Sequence, residues 1–428
     1  MAGLRAKPSS AQDGAVEDGA AEQGPAVQPA PQPGPSGVAG QATQLAPRDD
    51  FDRDVWCLLG LPVDAASVDR AVAEIDTAVR TGRKLSFVTP NVNWLVRVLK
   101  DGAARREVLN ADLSFIDGAP LVVMARMLGV PAPSRVAGAD IFEALRRRPG
   151  FGGRRTRVFF FGGRDGAGAA AVEALDKEQG GVEAVGSLNP GFGDVETMSA
   201  PEIIAEINAA GADFVVVALG AAKGQAWIDR NKDRLDAPVI AHLGAVVDFT
   251  AGQVARAPEM VKKLGLEWLW RIKEEPALWR RYVGDGAALL TIIARRLAPQ
   301  LLALRHRQSR SAPAPAQADI RRGASRTAIV LSGTFTTANL AAARKAFRIA
   351  AEHGRDVVLE FSAVSEFDRS FLGLVLMLEK HVARSGRTLY VDGATARHRA
   401  ILRANAMNYR SVATAEERIV DTGRAATA

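Results

Sequence analysis

The stretch "FVTPNVNWLV", residues 87–96, begins as an apolar run typical of a strand and then reaches Thr89, Pro90 and Asn91. Pro90 lacks a backbone donor and fixes its own φ, and Asn91 favours turns or helix starts, so the chain should leave the sheet here and begin a helix. A hydroxyl and an amide are therefore expected at the carboxyl end of a strand. In open α/β sheets, ligands bind at this edge.

Similar apolar runs alternate with helical patterns along the first two thirds of the chain. Because their hydrophobicity is continuous, both faces of the strands should be buried, which predicts a parallel sheet with helices on each side. The predicted strands are "KLSFVT" (84–89), "DLSFID" (112–117), "TRVFFFGG" (156–163), "GVEAVGSL" (181–188), "ADFVVVALG" (212–220) and "PVIAHLG" (238–244).

The length of 428 residues suggests more than one domain. Residues 1–50 are rich in Ala, Pro, Gly and Gln, lack the apolar core of an export signal and are expected to be disordered. We expect a first domain at 51–298, a Pro- and Ala-rich linker at 299–325, a smaller α/β domain at 326–420 and a tail at 421–428. The strands of the smaller domain would be "TAIVLSGTF", "DVVLEFSAV" and "TLYVDGA".

Cysteine and histidine usage limits the class of site. A single cysteine, Cys57, allows no intramolecular disulfide framework and indicates a reduced compartment. The five histidines show neither HxxxH nor HExxH spacing, which argues against a zinc hydrolase.

Positive charge is concentrated near the end of the first domain. Residues 256–310 contain twelve Lys or Arg and five acids, which matches the excess of +7 in the whole chain. Such a patch indicates either phospholipid or nucleic acid, but no RNA-binding or helix-turn-helix signature accompanies it. Arg295, Arg296 and Pro299 interrupt the most apolar stretch, so residues 256–298 should form a basic helical appendage that lies on a membrane without crossing it.

Three strand ends carry candidate binding or catalytic groups. In "SFIDGAPLV" (114–122), Asp117 could take a proton from a hydroxyl or simply cap the next helix. Gly162 and Gly163 open a glycine-rich turn that could approach a pyrophosphate or only tighten a βα connection. In "VVVALGAAKGQAW" (215–227), Gly220 clears space, while Lys223 could meet a phosphate or remain solvated.

Four separated segments together resemble the WecG/TagA/CpsF family of glycosyltransferases: "TPNVNWLV", "DGAPLV", "SRVAGADIF" and "HLGAVVDFTAGQVARAP" with "GLEWLWR". The resemblance covers about residues 55–290. It implies a Rossmann-like domain that transfers a sugar from a UDP-sugar to a polyprenyl-diphosphate-linked saccharide, yielding intermediates of cell-surface polysaccharide. It also implies a cytoplasmic protein, peripheral on the inner face of the plasma membrane, that assembles into homo-oligomers.

Site residues follow from the resemblance. Thr89 and Asn91 match residues that line the active-site pocket, and Asp117 matches the residue proposed as general base, so the base becomes the favoured role for Asp117. The resemblance implies inversion at the anomeric carbon and, because no DxD motif is present, no metal and no cofactor. Further implied contacts are Arg135, Gly138, Asp140, Gly162, Gly163, Gly220, Lys223 and Gln225 for the substrates, and Arg256, Arg271, Arg280 and Arg281 for the lipid diphosphate.

The sequence departs from the family after the strand at 212–220. The family commonly has LGxPKQE where this chain has "LGAAKGQAW", so Gly224 stands at the usual Gln position and Gln225 at the Glu position. This departure favours an alternative function, a non-catalytic regulator with a degenerate transferase domain. The retained Thr89, Asn91, Asp117 and Arg135 argue against that alternative.

The segment "VVLEFSAVSEFDRSFLGLVLMLEKH" (357–381) resembles a STAS domain, in which a DSSG turn opens a helix. Arg369 stands where the usual phosphoserine would be, which argues against a phosphorylation switch, and Ser370 could cap the helix. The resemblance implies a regulatory module that binds an unidentified protein partner.

Overall fold

The computed structural model describes residues 49–258, 260–261, 265–305 and 314–412; the side chains of 304 and 305 are not described. The predicted disordered tail at 1–50, apart from its last two residues, lies outside these ranges. So do the predicted tail at 421–428 and residues 306–313 of the predicted linker.

A six-stranded parallel sheet forms the centre of the N-terminal domain, as predicted. Its spatial order is β4-β3-β8-β7-β5-β6, and every neighbouring pair in it is parallel. Each of the six predicted strands is present, which confirms the Rossmann-like fold class. The strands are β3 (Leu85–Val88), β4 (Leu113–Ser114), β5 (Thr156–Gly162), β6 (Val182–Leu188), β7 (Phe214–Ala218) and β8 (Val239–His242).

Helices cover both faces of this sheet. One face of β5 buries Phe160 in a core with Ala71 and Leu145, and the other face buries Phe161 against Trp227. Burial on both faces explains the continuous hydrophobicity of the strands. The helices are α1 (Val68–Thr81), α2 (Val92–Lys100), α3 (Gly102–Asn110), α4 (Ala119–Met127), α5 (Gly138–Arg147), α6 (Ala167–Asp176), α7 (Pro201–Ala209), α8 (Ala221–Asn231) and α9 (Gly244–Thr250).

An antiparallel hairpin precedes the sheet and was not predicted. Strands β1 (Val55–Leu58) and β2 (Leu61–Asp64) pair with each other. Both strands are buried along their whole length. They therefore lack the alternation of apolar and polar residues that identifies a half-buried hairpin from its sequence.

The basic appendage is helical, but its longest helix is not broken where the sequence suggested. Helix α10 (Glu267–Glu274) is followed by α11 (Trp279–Ile292), a π turn at Ile293–Leu297 and α12 (Ala298–Arg305). The π turn contains Arg295 and Arg296, and Pro299 lies in the first turn of α12, so the run stays helical. By length and composition alone Pro276–Ala303 could cross a membrane, and its position on the membrane surface stays a prediction. However, Ile292 and Leu297 pack into the core of the N-terminal domain.

The C-terminal domain is a four-stranded sheet in the order β12-β11-β10-β9, with helices packed on it. Its edge strand β9 (Gln317–Arg322) pairs antiparallel with β10 and lies in the stretch interpreted as linker. That stretch also begins within the run of helices ending at Arg305. The other elements are β10 (Arg326–Phe335), α13 (Ala341–Glu352), β11 (Asp356–Phe367), α14 (Arg369–Arg384), β12 (Leu389–Asp392) and α15 (Ala396–Ala404).

Candidate active site

The carboxyl ends of β3, β4 and β8 lie side by side at one edge of the parallel sheet. Gly138, at the start of α5, packs between residues that follow two of these strands. A Cβ atom built on Gly138 would lie 2.2 Å from Leu243 Cδ2 and 3.5 Å from Thr89 Oγ1. A side chain at position 138 would therefore displace Leu243, so the glycine lets α5 close onto the strand ends.

Asp117 follows β4 at this edge and does not cap the next helix. Helix α4 has Gly118 at its N-cap, without a side-chain hydrogen bond. The Asp117 backbone N–H donates to Pro90 O over 2.9 Å, which ties Asp117 to the turn after β3. The alternative interpretation of Asp117 as a helix cap is thus wrong.

The environment of Asp117 favours the protonated carboxyl. The side chain is 28% exposed, and among the described residues its nearest cation is Arg135 Nη1, at 4.0 Å. Burial raises the pKa of Asp117 to about 7; Arg135 opposes the rise, while Glu267 and Asp140 add to it. A carboxyl with a pKa near neutrality can exchange a proton with a substrate hydroxyl.

Arg135 joins three segments around Asp117. Its guanidinium donates to Asp140 Oδ2 over 2.5 Å and to Glu267 Oε2 at the start of α10. Arg256 donates to the other oxygen of Asp140 over 2.5 Å. Two cations and two carboxylates therefore form one ion-paired network, and Asp117 lies beside it, 4.0 Å from Arg135. The pattern of apolar strands gave no indication that Glu267 belongs to this group.

The four arginines predicted to contact a lipid diphosphate fall into two pairs. Arg256 and Arg271 lie over the Phe249 ring, at 5.8 and 5.2 Å from its centroid, and each forms an ion pair with an acid. Arg280 and Arg281 are exposed, and neither has a carboxylate within 4.0 Å in the described part of the chain. Only the second pair is open to an anionic partner.

Asn91 caps helix α2: its side-chain oxygen accepts a hydrogen bond from Trp94 N over 3.3 Å. The amide fixes the turn after β3 whether or not it also contacts a substrate.

The glycines after β5 and β7 allow a close approach of these two strand ends. Gly163 N donates to Ala218 O over 2.8 Å. Gly162 has φ +90°, and a Cβ on it would lie 2.7 Å from the same carbonyl oxygen. Gly220 has φ +78° and open space around its Cα, so the backbone there is accessible. The tight-turn interpretation explains Gly162 and Gly163, and Gly220 is accessible to a ligand.

Comparison with known proteins agrees with the resemblance. Residues 56–301, more than half of the chain, match the Glycosyl transferase WecG/TagA/CpsF family. The chain belongs to this family. It is therefore a glycosyltransferase, and residues 318–409 match a second family, described as Mlab, STAS domain.

One curated relative is an N-acetylglucosaminyldiphosphoundecaprenol N-acetyl-beta-D-mannosaminyltransferase from Bacillus spizizenii. It is 28% identical over 211 residues, which cover 49% of this chain and 79% of the relative.

At Gly224, where the sequence departs from the family, the ring of His242 leaves no space for a side chain. A Cβ on Gly224 would lie 2.2 Å from His242 Cδ2. His242 Nε2 is buried without a hydrogen-bond partner among the described residues, and burial lowers the pKa of His242 to about 4. The histidine that ends β8 thus takes the space a side chain at 224 would need. His242 begins the quoted segment "HLGAVVDFTAGQVARAP", but no role was inferred for it from the sequence.

The two neighbours of Gly224 point to different surroundings. Lys223 Nζ donates to Gly193 O over 2.7 Å, so its ammonium lies on the loop after β6. Gln225 is 1% exposed and donates to Asp229 Oδ1 over 3.4 Å. The side chain of Gln225 is thus enclosed by protein, and its predicted substrate contact is not accessible from solvent.

A cavity of about 400 Å³ lies away from Asp117. Its lining comes from both domains and includes Trp56, Leu128, Gln300, Phe367 and Arg369. Among the described residues, no group of three or more His, Cys, Asp or Glu side chains is placed to bind a metal ion.

Replacement of Gly224 by Ala tests the contact with His242. Ala in place of helical Gly ordinarily raises stability by about 1 kcal/mol, but here the new methyl group should lower the free energy of unfolding by about 1–3 kcal/mol. Urea denaturation of Gly224→Ala is compared with Gly286→Ala, where open space surrounds the glycine. Adding His242→Ala should restore part of the loss, and equal stabilisation by both glycine substitutions would contradict the assignment.

The raised pKa of Asp117 predicts a pH-dependent cost in stability. The folded chain binds this proton more tightly than the unfolded chain, so protonation of Asp117 stabilises the fold. This stabilisation is fully present below about pH 4 and is lost as pH rises through about 7. Because Asn cannot ionise, Asp117→Asn should match the natural chain at pH 4. At pH 8 it should have a free energy of unfolding higher by on the order of 1–3 kcal/mol.

Urea denaturation at the two pH values measures this difference. Asp176→Asn, a change of an exposed aspartate at the end of α6, is the control and should show no such pH-dependent gain. A gain at pH 4 as large as at pH 8 would refute the assignment.

Proposed function

We propose that this glycosyltransferase moves a sugar from a UDP-sugar to a polyprenyl-diphosphate-linked saccharide during synthesis of cell-surface polysaccharide. The observation that carries the proposal is the position of Asp117 at the carboxyl edge of the sheet, 28% exposed and 4.0 Å from Arg135; burial raises its pKa to about 7. The name of the Bacillus relative supports the class of acceptor, since it describes a sugar on diphosphoundecaprenol.

Asp117 acts as the general base in a single inverting displacement. Its carboxylate takes the proton from the acceptor hydroxyl as that oxygen bonds to the anomeric carbon. The bond from this carbon to the diphosphate breaks, and UDP leaves with the electron pair. Because Arg135 lies 4.0 Å from Asp117, it can stabilise the ionised base without forming a close hydrogen bond that would reduce its basicity.

The donor diphosphate binds at the ends of β5 and β7. The accessible backbone at Gly220 precedes α8, and the tight turn at Gly162 and Gly163 brings the end of β5 beside the end of β7. Backbone N–H groups at such helix starts bind phosphate oxygens. Lys223, in the first turn of α8, supplies a cation near this edge.

The acceptor lipid and the membrane contact the appendage. The outer side of α11 and α12 exposes Trp279, Val283, Leu290 and Leu302, which are 50–69% exposed. Arg280 and Arg281 lie beside this apolar strip and over aromatic rings. Apolar side chains and cations together suit an interface in which tails and phosphates are adjacent. We therefore propose a peripheral position on the inner face of the plasma membrane.

A second candidate function is a non-catalytic regulator, and the Lys223-Gly224-Gln225 segment is the observation that favours it. The two functions differ in one measurable property, release of UDP in the presence of acceptor lipid.

A donor screen with the natural chain and Asp117→Asn separates the two functions. UDP-sugars are tested with a short-chain polyprenyl-diphosphate-sugar, and both UDP release and product lipid are measured. We expect one donor to react, with its rate rising with pH to a plateau above about pH 7, because only the ionised base is active.

Asp117→Asn should lower this rate by about 10² to 10⁴-fold. Asp176→Asn should retain the full rate. Undiminished turnover by Asp117→Asn would remove the proposed base, and no turnover with any donor would favour the regulator.

Membrane contact is tested with Arg280→Gln combined with Arg281→Gln. Binding to vesicles with anionic lipid should weaken by roughly 30-fold, since each of the two cations near such a surface contributes about 1 kcal/mol. Sedimentation with vesicles is measured at low and high salt. The control, Arg70→Gln with Arg147→Gln, removes the same charge from side chains 66% and 76% exposed on other helices. Equal loss by both double variants would mean that net charge alone causes binding.

A further inference from the structure

The apolar core of the C-terminal domain includes residues from the beginning of the chain. Phe51, Val55 and Cys57, together with Leu109 of α3, belong to the same buried cluster as the sheet and helices of that domain. Helix α14 is buried along Ser370–Leu378, on every side. A helix apolar all round must be covered on more than one face.

Helix α14 approaches β1 at backbone distance. A Cβ on Gly373 would lie 2.2 Å from Val55 O and 2.9 Å from Trp56 Cα. The hairpin turn makes a similar approach, since a Cβ on Gly60 would lie 2.6 Å from Asn405 O. At both contacts a glycine, which has no side chain, lets the backbones of the two domains approach closely.

Buried ion pairs join the same surfaces. Lys380 of α14 has a fully buried side chain and lies 2.9 Å from Asp50, which also pairs with Arg53 at 2.7 Å. Burial lowers the pKa of Lys380 to about 8, and Asp50 opposes that shift. Arg105 of α3 pairs with Glu379 at 2.5 Å. Separation of the domains would expose the apolar helix and break these pairs.

Two cations of α14 bind both ends of the segment that carries Asp117. Lys380 Nζ donates to Ala111 O over 3.1 Å, just before β4. Arg369 Nε donates to Leu128 O over 3.0 Å, at the C-cap of α4. Arg369 also donates to Gln300 and Asn405, over 2.7 and 3.2 Å. Residues 111–128 thus lie between two anchors supplied by the C-terminal domain.

The start of α14 differs from the sequence-based expectation. Asp368, not Ser370, is the N-cap: its carboxylate accepts from the backbone N–H groups of Ser370 and Phe371. Ser370 is 3% exposed, and its hydroxyl donates to Asp368 over 2.5 Å. Arg369, at the place of the usual phosphoserine, contacts the N-terminal domain instead.

We propose that the partner of the STAS-like domain is the transferase domain of the same chain, and that this contact positions Asp117. Arg369 and Lys380 are positioning residues that act through the 111–128 segment. The catalytic part of the inference rests on the proposed role of Asp117, whereas the docking part does not. A separate protein partner at α14 would require the core shared with Phe51 and Val55 to open.

The experiment uses the full chain with Gly373→Ala, which forces α14 from β1, and Arg369→Ala, which removes one anchor without adding bulk. Gly286→Ala is the matched control. Hydrogen exchange of the backbone amides in 55–58 and 119–127 reports docking, and kcat and KM for the donor report the position of Asp117.

We expect exchange in 119–127 to rise at least about tenfold in both variants and to stay unchanged in Gly286→Ala. The kcat should fall about 10- to 100-fold with KM changed less than about threefold, because a small displacement of the base affects the reacting state more than donor binding. Should Gly373→Ala fail to fold, Arg369→Ala retains both measurements.

Unchanged exchange in 119–127 in Arg369→Ala would overturn the proposal, as would raised exchange with an undiminished kcat. If the natural chain transfers no sugar, the proposed function fails by itself, and the exchange data still decide whether the domains dock. Capture of a separate protein on α14 without any substitution would also overturn the inference.

Discussion

The guanidinium of Arg135 is shared by acids from three parts of the chain, and the candidate site depends on this sharing. Asp117 follows a strand, Asp140 lies in the first turn of α5 and Glu267 begins the basic appendage. Because carboxylates so close together would repel one another, the cation is required to bring α10 to the sheet edge. At 4.0 Å from Asp117, it leaves that carboxyl accessible while binding the other two acids more closely. Arg135 thus forms close structural ion pairs with Asp140 and Glu267 and also lies near Asp117, the proposed base.

The same cluster changes the interpretation of the basic segment. Its concentrated charge was interpreted from the sequence as a surface for anions, but Arg256 and Arg271 pair with Asp140 and Glu275. Their charge is therefore largely compensated within the protein. Arg280 and Arg281 remain exposed beside an apolar strip. A net charge reports composition, whereas the partners of each cation decide where that charge acts.

The parallel sheet was predictable because strands buried on both faces keep a continuous apolar pattern, and turns at Pro90, Gly163 and Gly220 marked the binding edge. The hairpin at β1 and β2 and the edge strand β9 were not predictable in this way, since their pairing depends on tertiary contacts. Among the residues around the site, Glu267 and His242 were missed, although both lie in segments that carried the family resemblance. Their importance arises from neighbours distant in sequence, Arg135 and Gly224.

The core shared by the two domains constrains how the protein is made. Arg53 contacts Met377 across 324 positions of sequence, so a ribosome releases the first hairpin long before helix α14 exists. Domains usually fold in order as they emerge. Here the early strands must wait with apolar groups uncovered until synthesis is nearly finished.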